Sequence, residues 1–236
     1  MPSDPVVFER PKNQRSSGAR RRWKWVLLIV GGSGLALIVA YGFYIVSLSK
    51  IILPAGSLGR SVDPLLMATA DDPSFGNVAA RVVVVEFSDF ECPFCSQVQP
   101  VVKELHRRYS DQVYFVYRDF PLTQIHSQAL LAAMAGQCAH EQGKFWEMHD
   151  KLFANQDRLA LENIKKYAVE IGLNSLQFNG CVDAGKYLAE IEQDIADGSS
   201  IGIEATPTFV INGVKFPGVI PLTTFEKIIT AEYGTP

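Results

Sequence analysis

The chain has 236 residues, 47% hydrophobic and 20% charged, which is a globular balance with room for one domain of moderate size or one carrying an insertion. Its net charge of −3 is unevenly spread: residues 1–50 hold eight Lys or Arg against two acids, and residues 51–236 hold fourteen against twenty-three. The acidic C-terminal part argues against a nucleic-acid partner, and four cysteines, enough for two disulfides, suit an oxidising compartment.

Residues 1–24 are rich in Pro, Ser and basic side chains and read as a disordered cytoplasmic tail. Trp25 to Leu48 then runs without a charge, long enough for a transmembrane helix over 25–48 in contact with membrane lipid. Trp23 and Trp25 at one end, with Tyr41 and Tyr44 towards the other, have the placing of interfacial anchors. The basic cluster precedes the apolar run, so the positive-inside rule puts the N-terminus in the cytoplasm and the rest outside, as a single-pass protein of the cell membrane. The competing reading is a signal peptide cut near Ser47-Leu48-Ser49, but the apolar run is long for that. Residues 49–75, with Pro54, Gly56, Gly59, Pro64 and Pro73, read as a linker.

Residues 76–125 carry the chemistry. Val82–Phe87 is apolar on both faces, as a central strand of a covered sheet is. A helix from Pro93 to Arg108 follows, with Val98, Val101, Val102 and Leu105 at helical spacing, and Val113–Tyr117 is a second strand. Strand, helix and strand make a βαβ unit, after which Arg118–Leu122 changes direction. Cys92 and Cys95 stand where the helix opens, and Pro93 sits in its first turn, where a missing N–H costs nothing. First-turn amides and the helix dipole favour a thiolate there. The functional reading is a redox-active dithiol with Cys92 as nucleophile and Cys95 as resolving thiol. A zinc site would need a second C-x-x-C or a paired His, and Cys138, Cys181 and the four His residues supply neither, so no metal and no cofactor is expected.

C-x-x-C opening the helix of a βαβ unit resembles the thioredoxin superfamily. The string Val85-Glu86-Phe87-Ser88-Asp89-Phe90-Glu91-Cys92-Pro93-Phe94-Cys95 and the later Tyr117-Arg118-Asp119-Phe120-Pro121-Leu122 resemble the DsbA-like thiol:disulfide oxidoreductases of bacterial envelopes. The resemblance makes Glu86 the semi-buried acid beneath the active-site disulfide, able to relay a proton to or from Cys95, its pKa raised by burial. The alternative is a solvated strand carboxylate. Asp89 and Glu91 are expected to face solvent, their charge opposing thiolate formation.

From 126 to 199 the pattern is helical: Ala129 through His140, Phe145 to Phe153, Leu161 to Ile171, a short segment capped by Asn174 through Phe178, and Asp183 to Asp197. The string from Cys138 to Asp150 resembles the helical insertion of the DsbA-like family. In an oxidising compartment Cys138 and Cys181 are expected to pair as a structural disulfide, with two buried free thiols as the alternative. His126, just after the Phe120-Pro121 turn, is near enough in sequence to approach the catalytic face. Surface or core roles are nonetheless expected for it, for His140 and for His149, and Phe145 and Trp146 read as core.

Residues 200–236 complete the sheet. Thr208–Ile211 is a strand, Asn212-Gly213 a two-residue hairpin turn and Val214–Phe216 the return strand, with Leu222–Tyr233 as a closing helix. Thr206-Pro207 matches the superfamily's cis-proline that faces the C-x-x-C. The resemblance gives Thr206, Pro207 and Phe94 to substrate binding, the Thr206 backbone pairing with an extended peptide. Ala205 stands where the family commonly has Gly.

The resulting expectation is an α/β thioredoxin fold, residues 76–125 and 200–236, with an inserted all-helical domain, 126–199, preceded by one transmembrane helix. The resemblance implies a protein disulfide oxidoreductase acting on unfolded or reduced secreted proteins. A quinone-linked membrane partner, DsbB-like or vitamin K epoxide reductase-like, would regenerate the disulfide. Phe94 stands in the place of the His of the best-known DsbA motif, and Thr206 is also seen in reducing and isomerising relatives. A reductase or isomerase of the same fold, or a non-catalytic chaperone, are the rival readings.

Overall fold

A computed structural model describes residues 68–69 and 71–234. The predicted tail, the span 25–48, the Ser47–Ser49 triplet and most of the linker lie outside the described residues. Among the described residues no helix is long and apolar enough to cross a membrane.

Five strands form one sheet: β1 (Ser74–Gly76), β2 (Val82–Ser88), β3 (Val113–Asp119), β4 (Thr208–Ile211) and β5 (Val214–Pro217), in the order β1-β3-β2-β4-β5. Strand β2 pairs parallel to β3 and antiparallel to β4, so both its edges are satisfied, and every one of its residues is buried. Seven helices complete the described fold: α1 (Pro93–Tyr109), α2 (Ala129–His140), α3 (Phe145–Phe153), α4 (Leu161–Glu170), α5 (Ser175–Asp183), α6 (Leu188–Ser200) and α7 (Leu222–Tyr233). Val82, Val84, Phe115 and Phe209 pack with Val98, Leu105 and Phe225 of α1 and α7 on one face of the sheet. Val83, Val85, Phe87 and Phe120 face the other way, with Ile195 of α6 packed against them. A third apolar cluster joins the insertion to the sheet, running from Phe90, Cys95 and Tyr117 to Met148, Phe178 and Cys181.

The main elements lie where the periodicity puts them, with three differences. The sheet begins at Ser74, inside the expected linker, because β1 pairs antiparallel with β3 and Phe75 stacks on Phe115 at 4.6 Å. Helix α5 runs on to Asp183, and α6 starts only at Leu188, because Gly185 takes φ 62° and breaks the chain between them. Strand β3 runs through Asp119 because Arg118 and Asp119 are held from the far side by α6. There Arg118 Nε lies 2.6 Å from Asp194 Oδ1, a second guanidinium nitrogen lies 2.8 Å from Asp197 Oδ2, and the Asp119 N–H donates to Asp194 Oδ2 at 2.8 Å. Removing one partner of such a buried pair costs about 3–5 kcal/mol.

Cys138 on α2 and Cys181 on α5 are joined as a disulfide, Cα atoms 5.9 Å apart, and both are buried. The bridge spans 43 residues of chain, so the loop-entropy account gives it about 4 kcal/mol of stability. Cys138→Ala/Cys181→Ala should therefore lower the free energy of urea unfolding by about that amount. Thiol counting of the denatured, unreduced full chain should find no more than the two thiols of Cys92 and Cys95. Finding four would remove the bridge.

Candidate active site

Strand β2 delivers the site. After Ser88 the chain turns tightly: the Cys92 N–H donates to the Asp89 carbonyl at 3.1 Å, and Cys92, in extended conformation (φ −73°, ψ 123°), is the N-cap of α1. Pro93 follows in the first turn, as expected. Gln156, from the segment after α3, clamps this turn by donating to the carbonyls of Phe90 and Cys92 at 2.8 Å each. Gln99 does the same one turn into α1, donating to the Cys95 carbonyl at 3.0 Å.

Cys92 and Cys95 are free, buried thiols. Across from them the Thr206–Pro207 peptide is cis, and the Cys92 thiol donates to the Thr206 carbonyl at 3.4 Å. The structure thus brings together Cys92, Cys95, Thr206 and Pro207 from both halves of the fold. The two thiols are driven apart in acidity. The Cys95 thiol hydrogen-bonds the Cys92 sulfur and, against the opposing effect of burial, lowers it to about 5, with the Thr206 side chain and the first-turn amides adding to the fall. Burial first, then the Cys92 charge it serves and the carboxylate of Glu86, push Cys95 well above an ordinary thiol. Cys92 is therefore the thiolate, and Cys95 holds its proton.

Beneath them, the sheet face that carries Val82, Val84, Val113 and Phe115 turns polar at its C-terminal end. Register pairs Glu86 with Tyr117 and Ser88 with Asp119, and alternate residues of a strand share a face. Glu86 is fully buried, and neither of its carboxylate oxygens has a hydrogen-bond partner among the described residues. Burial, only partly offset by Ser88, raises its pKa to about 8, so it carries a proton at neutral pH. Among the described residues the Tyr117 hydroxyl on the same face also has no hydrogen-bond partner.

Two expectations are corrected. Asp89 does not face solvent. It is buried because its carboxylate has three donors: the Glu91 N–H at 2.7 Å, the Leu122 N–H at 2.8 Å and His126 Nδ1 at 2.7 Å. Glu91 is half-buried, its Oε2 accepting from the Gln128 N–H at 2.6 Å. His126 lies ahead of α2 rather than on a helix, paired with Asp89 beside the catalytic turn. His149 is buried in the insertion core among Phe90, Tyr117 and Phe145. Phe94 projects into solvent, 59% exposed, and Ile125 is 73% exposed on the segment that Asp89 holds. Among the described residues no group of His, Cys, Asp or Glu could hold a metal ion.

The family model described as Thioredoxin matches residues 68–231. The chain belongs to the thioredoxin family. Among solved structures, a thioredoxin-like oxidoreductase from Silicibacter pomeroyi DSS-3 is 26% identical, with a TM-score of 0.65, over 75% of this chain and all of that one. Wolbachia pipientis alpha-DsbA1 is 25% identical, again with a TM-score of 0.65, over 73% of this chain and 96% of that one. The fold is thus that of a DsbA-like thiol–disulfide oxidoreductase, and redox exchange is the activity common to such neighbours. A curated relative, Na(+)/H(+) antiporter NhaA 3 of Salinispora tropica, is 41% identical over 182 residues, 75% of this chain. The chain spans only 27–31% of the length of that and two further antiporter relatives. In this thioredoxin-family member Tyr117, Gln156, Asp89 and His126 join the site. Asp89 and Tyr117 lie within the strings that carry the family resemblance, though without a role there; His126 is signalled only by its closeness to the Phe120-Pro121 turn, and Gln156 by nothing in the sequence.

The burial of Glu86 has a measurable signature. In the unfolded chain it titrates near 4.5 and in the folded chain near 8, so the native state holds the proton more tightly and stability falls as pH rises between those values. Glu86→Gln should be close to neutral for stability at pH 4 and should raise unfolding free energy by about 2–4 kcal/mol at pH 8. A difference that does not change with pH, followed by urea unfolding across the range, would mean the carboxyl is not buried as a neutral acid.

Proposed function

We propose that this chain is a membrane-tethered, extracytoplasmic protein disulfide oxidoreductase that passes the Cys92–Cys95 disulfide to reduced secreted proteins. The observation that carries the reading is geometric: Cys92 caps the N-terminus of α1 and faces the cis Thr206–Pro207 peptide, with Cys95 buried one turn in and Glu86 buried on the strand that leads to them. The lowered pKa of Cys92 and the raised one of Cys95 agree with it.

In the oxidised enzyme a substrate thiolate attacks Cys92 Sγ. The Cys92–Cys95 bond breaks, a mixed disulfide forms, and Cys95 leaves as a thiolate that takes the proton of Glu86. A second substrate thiolate then attacks the substrate sulfur of the mixed disulfide and expels Cys92, the better leaving group. The substrate has lost two electrons, and the enzyme holds them as a dithiol. A quinone-linked membrane partner, DsbB-like or vitamin K epoxide reductase-like, would take them up. The backbone at Thr206–Pro207 offers a strand-like edge for an extended peptide, and Phe94, between the two cysteines, is an exposed apolar side chain.

The membrane setting rests on the apolar run 25–48 behind a basic tail. It is supported by relatives named as Na(+)/H(+) antiporters, proteins that work across a membrane. The rival direction, a reductase or isomerase, is favoured by two features, the Phe94 in the place of a thiolate-stabilising His and the Thr206 before the proline.

A redox titration of the full chain in glutathione buffer separates the two. The oxidase reading expects a potential towards the −120 mV of a strongly oxidising pair, and one near −270 mV would assign the chain to the reductases. Cys92→Ser should abolish oxidation of a reduced, unfolded substrate, and Cys95→Ser should accumulate the mixed disulfide on Cys92. Glu86→Gln should slow exchange about a hundredfold without changing which sulfur is attacked. Undiminished refolding activity in Cys92→Ser would favour the non-catalytic chaperone.

A further inference from the structure

The dipeptide between the cysteines carries no cation, yet a buried anion stands at the catalytic turn. Asp89 is three residues before Cys92, and its carbonyl receives the Cys92 N–H at 3.1 Å. An unmatched carboxylate there would resist ionisation of Cys92. It is matched by His126, whose Nδ1 lies 2.7 Å from Asp89 Oδ2, with the His126 side chain 16% exposed and that of Asp89 fully buried. Burial of the Asp89 side reduces screening of the pair by salt.

The segment carrying His126 is pinned on both sides by carboxylates of the same turn. Asp89 accepts from the Leu122 N–H at 2.8 Å, and Glu91 accepts from the Gln128 N–H at 2.6 Å. The imidazole is thus fixed to the structure that fixes Cys92. Asp89, Cys92 and Glu91 are the charged groups acting on it. Together they outweigh its burial and favour the imidazolium.

We propose that His126, as an imidazolium paired with Asp89, stabilises the Cys92 thiolate and so makes the Cys92–Cys95 disulfide more oxidising, supplying from the loop ahead of α2 the positive charge that Phe94 lacks. The proposal rests on the reading of Cys92 as the redox-active thiol. His126 touches no reacting atom and is a positioning residue.

Two variants of the full-length protein test it. His126→Gln keeps a hydrogen-bonding side chain without charge, and His126→Lys restores a cation. Each is equilibrated with glutathione: the disulfide and two glutathione thiols give the Cys92 thiolate, the Cys95 thiol, glutathione disulfide and one proton. The Cys92 thiolate is followed by its ultraviolet absorbance against pH. In His126→Gln the thiolate should titrate about one pH unit higher, and the equilibrium should move about tenfold towards the protein disulfide, some 30 mV. His126→Lys should recover most of both shifts. If His126→Gln matches wild type, or if His126→Lys is displaced as far as His126→Gln, the proposal is overturned.

A second measurement needs no variant. By linkage, the thiolate must hold the His126 proton as the imidazolium favours the thiolate. The His126 imidazole resonance of wild type should titrate at higher pH in the dithiol than in the disulfide form, and equal titrations would overturn the proposal. A wild-type protein showing no glutathione exchange and no titrating thiolate would instead overturn the reading of Cys92 itself.

Discussion

Everything reactive in this protein hangs from the end of β2. A strand buried along its whole length and paired on both edges cannot slip by one residue without sending Val82 and Val84 to the wrong face of the sheet. That register fixes where Ser88 ends, and with it the turn at Asp89, the cap at Cys92 and the axis of α1. The same register aims Glu86 at the space under Cys95. One packing decision, made by four consecutive valines, thus places both Cys92 and Glu86.

The chemistry comes from what burial does to each group. At the N-cap, Cys92 meets hydrogen-bond donors and ionises easily; one turn deeper, Cys95 meets apolar neighbours and a carboxyl group and does not. Among the described residues Glu86 has no well-formed hydrogen bond and only Ser88 to offset its burial, so the cheapest state for it is the neutral acid. A neutral acid next to a departing thiolate is a proton source. On the proposed mechanism, the thermodynamic cost of burying a carboxyl and the kinetic use of its proton are two sides of one placement.

What the sequence made legible is what repeats or punctuates. Val82–Phe87, the helix from Pro93, the Asn212-Gly213 turn and α7 all announce themselves by period or by turn chemistry, and the structure places them there. Asn212 takes φ 45° and Gly213 φ 82°, the left-handed pair such a turn requires. Strand β1 was hidden because three residues carry no period and its existence depends on the edge that β3 offers. The inward turn of Asp89 has no sequence signal because a loop side chain has no face: only the approach of Leu122 and His126, set by the fold, turns it inward. The same holds for Gln156, which shows its use only when the segment after α3 lies against the catalytic turn.

The helical insertion is therefore part of the site rather than a lid laid on it. Gln156 holds the Phe90 and Cys92 carbonyls from one side. From the other, Asp194 and Asp197 of α6 take the guanidinium of Arg118 and the amide of Asp119, so the end of β3 beside Glu86 is anchored in the insertion. Phe90 stacks on Tyr117 at 5.3 Å and leans on Phe153 at 5.0 Å, joining sheet, catalytic turn and α3 in one apolar contact. A thioredoxin-type sheet supplies the two thiols and the proline opposite them. The insertion supplies the apolar packing around Phe90 and the Gln156 clamp on the turn. The difference in acidity comes from the Cys95–Cys92 hydrogen bond, Thr206 and the first-turn amides at Cys92, and from burial at Cys95.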